Sequence, residues 1–222
     1  MAAEPGAGDP HADAPLAWAG RPLEEADGAV LLLHGRGSTA SDILGLSRFL
    51  RSESLCFVAP QASGRSWYPR SFLAPHEQNE PHLTSSHRLI SSILGGLAEA
   101  GFEDERCALV GFSQGACLAL DHAARFPRRF GAIAAFTGGL IGPPAHSFEI
   151  NGDLAGTPVF IGANDPDPHV PWERVSESAE VLGGAGASVE LRRYPGEPHS
   201  INSDEITRAS EVLRQMLERR LS

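Results

Sequence analysis

A chain of 222 residues, 41% hydrophobic and 21% charged, has the size and composition of one globular domain with a sizeable core. Its net charge of -10, with no basic stripe, argues against nucleic-acid binding, and no apolar run approaches the length of a membrane span, which argues against stable membrane insertion. All 18 basic residues are Arg, a bias that fits the Ala-, Gly- and Pro-rich composition of a GC-rich coding sequence.

The opening residues have neither a basic start nor an apolar core, so a signal peptide is not expected. Residues 1–15 are expected to be frayed and residues 16–222 to form a single domain. Cys56, Cys107 and Cys117 lie in apolar runs, and their odd number suits a reducing compartment, so a cytoplasmic location is expected. Strand-like apolar runs occur at 29–33, 55–59, 107–110, 132–136, 158–161 and 188–194. Helical patterns lie between and after them, at 41–51, 83–100, 114–125, 172–182 and 204–221. Gly101 and Pro127 punctuate two helix ends, and Ser203-Asp204 opens the last helix. This alternation predicts an α/β fold with a mostly parallel sheet covered on both faces. The stretch from Gly138 to Pro158 is too short for a large cap domain, so an open site is expected.

The run from Cys107 into Gly111-Phe112-Ser113-Gln114-Gly115 and on into a helix reads as strand, sharp turn and helix with a serine at the tip. A glycine on either side admits the tight turn, and the following helix aims its amide-rich end at the serine. A serine hydroxyl needs a base, and the base needs an orienting carboxylate. Of His122, His146, His169 and His199 downstream, His199 lies between the last strand and the last helix, in a loop at the sheet's carboxyl edge. His122 falls within the helix behind the serine. For the acid, counting from the strand at 158–161 favours Asp165, whereas counting back from Val170-Pro171 favours Asp167; Asp167 is chosen, and Asp165 stays open.

Leu31-Leu32-Leu33-His34-Gly35-Arg36-Gly37-Ser38 ends an early strand in a glycine-rich turn that can aim a backbone N–H at a developing oxyanion. The amides of Arg36 and Gln114 are the two expected donors, while the Arg36 side chain is free either to meet an anionic substrate group or to pair with a surface acid. Trp67, Tyr68, Phe72 and Leu73 in the long loop at 61–81 either line a substrate pocket or anchor the loop to the core. His76, Glu77, Glu80 and His82 share that loop without a metal-ligand spacing on one element, so no metal site is expected.

These segments together resemble the phospholipase/carboxylesterase group of α/β-hydrolases, which includes acyl-protein thioesterases and bacterial carboxylesterases. The resemblance rests on Leu33-His34-Gly35-Arg36-Gly37, Gly111-Phe112-Ser113-Gln114-Gly115, Asp167-Pro168-His169-Val170-Pro171 and Tyr194-Pro195-Gly196 with His199, in family order across residues 28–221. It implies an α/β-hydrolase fold with Ser113, Asp167 and His199 as catalytic residues and Arg36 and Gln114 as oxyanion amides. The aspartate loop is longer than the family's usual form, which keeps Asp165 in view. The loop around Trp67 continues as Pro69-Arg70-Ser71-Phe72, as in a bacterial subgroup. The resemblance implies a serine carboxylesterase with no cofactor; the open site expected without a cap points to short to medium acyl esters, with lysophospholipids or thioesters as the next substrates. A rival of another class is a non-catalytic hydrolase fold that binds a ligand. Whether the protein is a monomer or a homodimer stays open.

Overall fold

The computed structural model describes residues 8–50, 53–144 and 146–219. Seven strands form one sheet: β1 (Leu16–Gly20), β2 (Gly28–Leu33), β3 (Leu55–Pro60), β4 (Cys107–Phe112), β5 (Ala132–Phe136), β6 (Pro158–Asp165) and β7 (Ser188–Pro195). Their spatial order is β1-β3-β2-β4-β5-β6-β7. Only β1 runs antiparallel to its neighbour, with Trp18 opposite Val58; the remaining pairs are parallel.

Strands buried on both faces must be apolar at every position. Along β2, Ala29, Leu31 and Leu33 face one core, while Val30 and Leu32 face the other. The first core is covered by α2 (His82–Glu99), α3 (Gln114–Arg125) and α4 (Trp172–Gly184); the second is covered by α1 (Ala40–Leu44) and α5 (Ser203–Glu218). No helix interrupts the connection from β5 to β6 among the described residues. None of the helices there is long and apolar enough to cross a membrane.

Three expectations change. The helix expected at 41–51 ends at Leu44 and continues as a 3₁₀ turn over Gly45–Arg48, because glycine weakens a helix interior; residues 51–52 lie outside the described residues. The last helix was expected to reach residue 221, but α5 ends at Glu218, and residues 220–222 lie outside the described residues. The segment expected to fray is docked from Asp9 onward, where the carboxylate meets Ser85 and Arg88, while residues 1–7 lie outside the described residues. Its His11 is buried. The His11 ring accepts from the Ser63 N–H at 3.1 Å and donates from Nε2 to the Trp67 carbonyl at 3.1 Å. A buried imidazole satisfied at both nitrogens ties the segment to the loop after β3.

Candidate active site

The site lies at the carboxyl ends of the parallel strands, where open α/β sheets form their crevices. Ser113 follows β4 with φ of +53° and ψ of −116°, a left-handed conformation rare for a residue with a side chain. The two flanking glycines are dictated by contact. A Cβ on Gly111 would stand 2.3 Å from the Gly115 carbonyl oxygen, and one on Gly115 would stand 2.1 Å from the Leu33 carbonyl oxygen. The elbow therefore presses directly on the backbone of β2, which brings the Gly35-Arg36 turn beside Ser113. The Ser113 N–H donates to the Phe136 carbonyl at 2.9 Å, anchoring the turn to β5.

His199 Nε2 stands 3.0 Å from Ser113 Oγ, and Nδ1 stands 2.6 Å from Asp167 Oδ2. The other oxygen of Asp167 accepts from the His169 and Val170 N–H groups at 2.8 and 2.9 Å. The Asp167 side chain is wholly buried. Burial alone would raise its carboxyl, but the His199 hydrogen bond and the two backbone donors outweigh it and hold the pKa below the ordinary range. The carboxylate fixes the imidazole with Nδ1 protonated, so Nε2 can take a proton from the serine. Phe112 and His169 flank the imidazole ring at 5.1 and 5.0 Å.

Asp165 is the last residue of β6 and forms an ion pair with Arg193, away from the His199 ring. The strand runs farther than the apolar run suggested, so its end no longer marks the start of the acid's loop.

Arg36 and Gln114 come together beside Ser113, and their side chains do something not read from the sequence. The Arg36 guanidinium donates to the carbonyls of Tyr68 at 2.9 Å, Pro69 at 3.0 Å and Arg70 at 2.6 Å. It meets neither a surface acid nor any other carboxylate among the described residues. The Gln114 side chain accepts from the Trp67 N–H at 3.0 Å and donates to the Tyr68 carbonyl at 2.8 Å. Both clamp the loop after β3 over the elbow. Their backbone N–H groups have no acceptor among the described residues, and that of Gln114 opens α3 at the positive end of the helix.

Trp67, expected among the residues that bind substrate, is not brought to the cleft. It is fully buried, donates from Nε1 to the His34 carbonyl at 2.8 Å, and packs on the His34 ring at 4.9 Å. Its indole anchors the loop, and the neighbouring Tyr68 and Phe72 line the cleft instead. His34 is itself a brace: Nδ1 lies 2.8 Å from the Gly35 carbonyl, and Nε2 accepts from the Ala62 N–H at 3.1 Å. Burial lowers its pKa and keeps it neutral.

One contributor went unnoticed in the sequence. Buried Asn164, near the end of β6, donates from Nδ2 to the carbonyls of Pro198 at 2.6 Å and Ser200 at 3.0 Å. It thus grips the chain on both sides of His199. Its place one residue before the aspartate-rich turn was the only available signal.

The cleft over Ser113 measures about 500 Å³ and is walled by Arg36, Tyr68, Arg70, Phe72, His169 and Val170.

The family model described as phospholipase/carboxylesterase matches residues 20–217. A solved phospholipase/carboxylesterase from Dyadobacter fermentans is 42% identical, with a TM-score of 0.87, over 91% of this chain and 97% of that one. Esterase PE8 is 28% identical, with a TM-score of 0.74, over 91% of this chain and 98% of its own. Acyl-protein thioesterase 1 of Gibberella zeae is 25% identical over 85% of this chain and 90% of that protein. The chain belongs to the phospholipase/carboxylesterase family and is a carboxylic ester hydrolase with the α/β-hydrolase fold.

Proposed function

We propose that this protein is a cytoplasmic serine carboxylesterase, built as one catalytic domain, that hydrolyses short to medium acyl esters of small molecules. The observation that carries the reading is the hydrogen-bonded chain from Ser113 Oγ through the His199 ring to Asp167, with links of 3.0 and 2.6 Å. Ser113 Oγ attacks the acyl carbonyl while His199 Nε2 accepts its proton. The tetrahedral oxyanion is held by the N–H groups of Gln114 and Arg36. His199 then gives the proton to the leaving alkoxide as the acyl-enzyme forms. Water, deprotonated by the same nitrogen, attacks the acyl-enzyme, and Ser113 recovers its proton as the acid departs.

An open cleft of about 500 Å³, with no helical cap among the described residues, supports the short to medium acyl reading. Thioesters are the second reading, favoured by the similarity to an acyl-protein thioesterase.

Two measurements test this function. A fluorophosphonate probe should label wild-type protein and leave Ser113→Ala unlabelled; an unreactive wild type would instead indicate a ligand-binding hydrolase fold. A p-nitrophenyl ester series should peak at short to medium acyl chains and lose essentially all turnover in Ser113→Ala. Full turnover in that variant would remove the mechanism.

A further inference from the structure

In a protein of net charge -10, the cleft over Ser113 is lined by two guanidinium groups and by no aspartate or glutamate. Arg36 contributes one. Its donors are satisfied by three backbone carbonyls, but carbonyls carry no net charge, so its positive charge stays uncompensated.

Arg70 contributes the other. Its backbone is pinned on both sides: the N–H donates to Asn79 Oδ1 at 2.8 Å, and the carbonyl accepts from Arg36 at 2.6 Å. Its exposed guanidinium has no hydrogen-bond or ion-pair partner among the described residues. Asn79 is buried and also donates to the Ser71 carbonyl at 3.0 Å, which stiffens the turn that presents Arg70. The two acids that touch cleft residues, among the described residues, are already engaged: the Asp167 side chain is wholly buried behind His199, its oxygens held by the imidazole and two backbone N–H groups, and Asp42 lies behind Ser38, accepting from its hydroxyl at 3.0 Å and from the Thr39 N–H at 2.9 Å as the cap of α1. A cleft lined by one sign of charge focuses its field on incoming ligands of the opposite sign.

Resting on the esterase reading above, we infer that the preferred substrates are esters that also carry a carboxylate, and that Arg70 is the residue that recognises it. A planar fork of donors on a pinned turn suits a carboxylate. The carboxylate belongs either to the acyl part, as in a half-ester of a dicarboxylic acid, or to the alcohol part.

The test compares kcat/KM for two matched pairs: p-nitrophenyl hexanoate against the mono-p-nitrophenyl ester of adipic acid, and phenyl acetate against m-carboxyphenyl acetate. For each ester the wild-type value is divided by that of Arg70→Gln, which cancels intrinsic reactivity. The quotient should be about five- to tenfold larger for the charged member of one pair, the range of an ion pair in a half-open cleft, and that pair identifies which side of the ester carries the charge. Arg70→Lys should restore only part of the contrast, because an ammonium keeps the charge and loses the fork, and raising salt from roughly 10 mM to 500 mM should shrink it. Equal quotients for charged and neutral members in both pairs would overturn the inference. Ser113→Ala separates the two layers. If it still hydrolyses the neutral esters, the esterase reading falls and takes this inference with it. If it is inert while the quotients are equal, only the role of Arg70 falls.

Discussion

Asp165 and Arg193 form an ion pair at the carboxyl ends of β6 and β7, with Arg193 Nε donating to Asp165 Oδ2 at 2.8 Å. The pair commits Asp165 to the sheet edge, whereas Asp167 turns inward to His199. The two aspartates should therefore respond differently to the same change. Asp167→Asn is expected to lower kcat by about 10⁴, since the wrong tautomer of the histidine would face the serine. Asp165→Asn breaks a half-exposed ion pair, costs under ~1 kcal/mol of stability, and leaves kcat within a small factor. Steady-state kinetics of both variants on one p-nitrophenyl ester decides the matter, and the reverse ranking would assign the acid to Asp165.

The left-handed backbone of Ser113, with φ of +53°, is a stored cost. Ser113→Gly should remove both the hydroxyl and the strain. Hydrolysis is expected to vanish while stability rises by about 1 kcal/mol, or ~2–4 °C in Tm for a chain of this size. A melting temperature below that of Ser113→Ala would show that the turn is not strained by its side chain.

Asn164 touches no substrate-facing atom, yet it holds the carbonyls on either side of His199. Asn164→Ala leaves both carbonyls without their donor and should cost about 1–3 kcal/mol of stability. A merely structural role would stop there. A positioning role predicts that kcat also falls by roughly 10²-fold with KM little changed, because His199 drifts from Ser113. Measuring kcat and KM separately, well below the melting temperature, distinguishes the two.

The elements that carried the sheet were legible because each met a strict local demand. Residues 107–110 and 132–136 are apolar at successive positions because both faces of a parallel sheet are covered. Gly111 and Gly115 were readable as turn glycines because no side chain fits between their backbone and the neighbouring chain. β1 escaped notice because it is a five-residue edge strand whose Leu16 and Trp18 face outward, 40% and 49% exposed, so its pattern is neither continuous nor cleanly alternating. The roles of Trp67, Gln114 and Arg36 depend on which way each side chain turns across more than thirty residues of sequence separation. Composition and spacing carry no such information. His11 was hidden for the same reason, since its partners, Ser63, Trp67 and Ser85, lie in other segments.

Glu205 should set a pH dependence of stability distinct from that of catalysis. It is fully buried in the first turn of α5, where its carboxylate accepts from the Asn202 N–H at 2.9 Å and returns the cap at the end of the His199 loop. Burial pushes its pKa up from 4.5 to about 7; the Asn202 hydrogen bond opposes this, and the negative charges of Asp204 and Glu197 add to it. The native state therefore holds a proton that the unfolded chain releases near its ordinary value. Between about pH 4.5 and 7 the folded form binds more protons, so this group's contribution to stability declines as pH rises and is flat above pH 7. Its full swing is of order 1–3 kcal/mol. Glu205→Gln keeps an acceptor for Asn202 and carries no charge, so it should be more stable than wild type at pH 8 and match it near pH 4.5. Denaturant midpoints for both proteins across that range measure the difference. A wild type that outlasts Glu205→Gln at pH 8 would mean that the ionised carboxylate, rather than its neutral form, is what the native cap prefers.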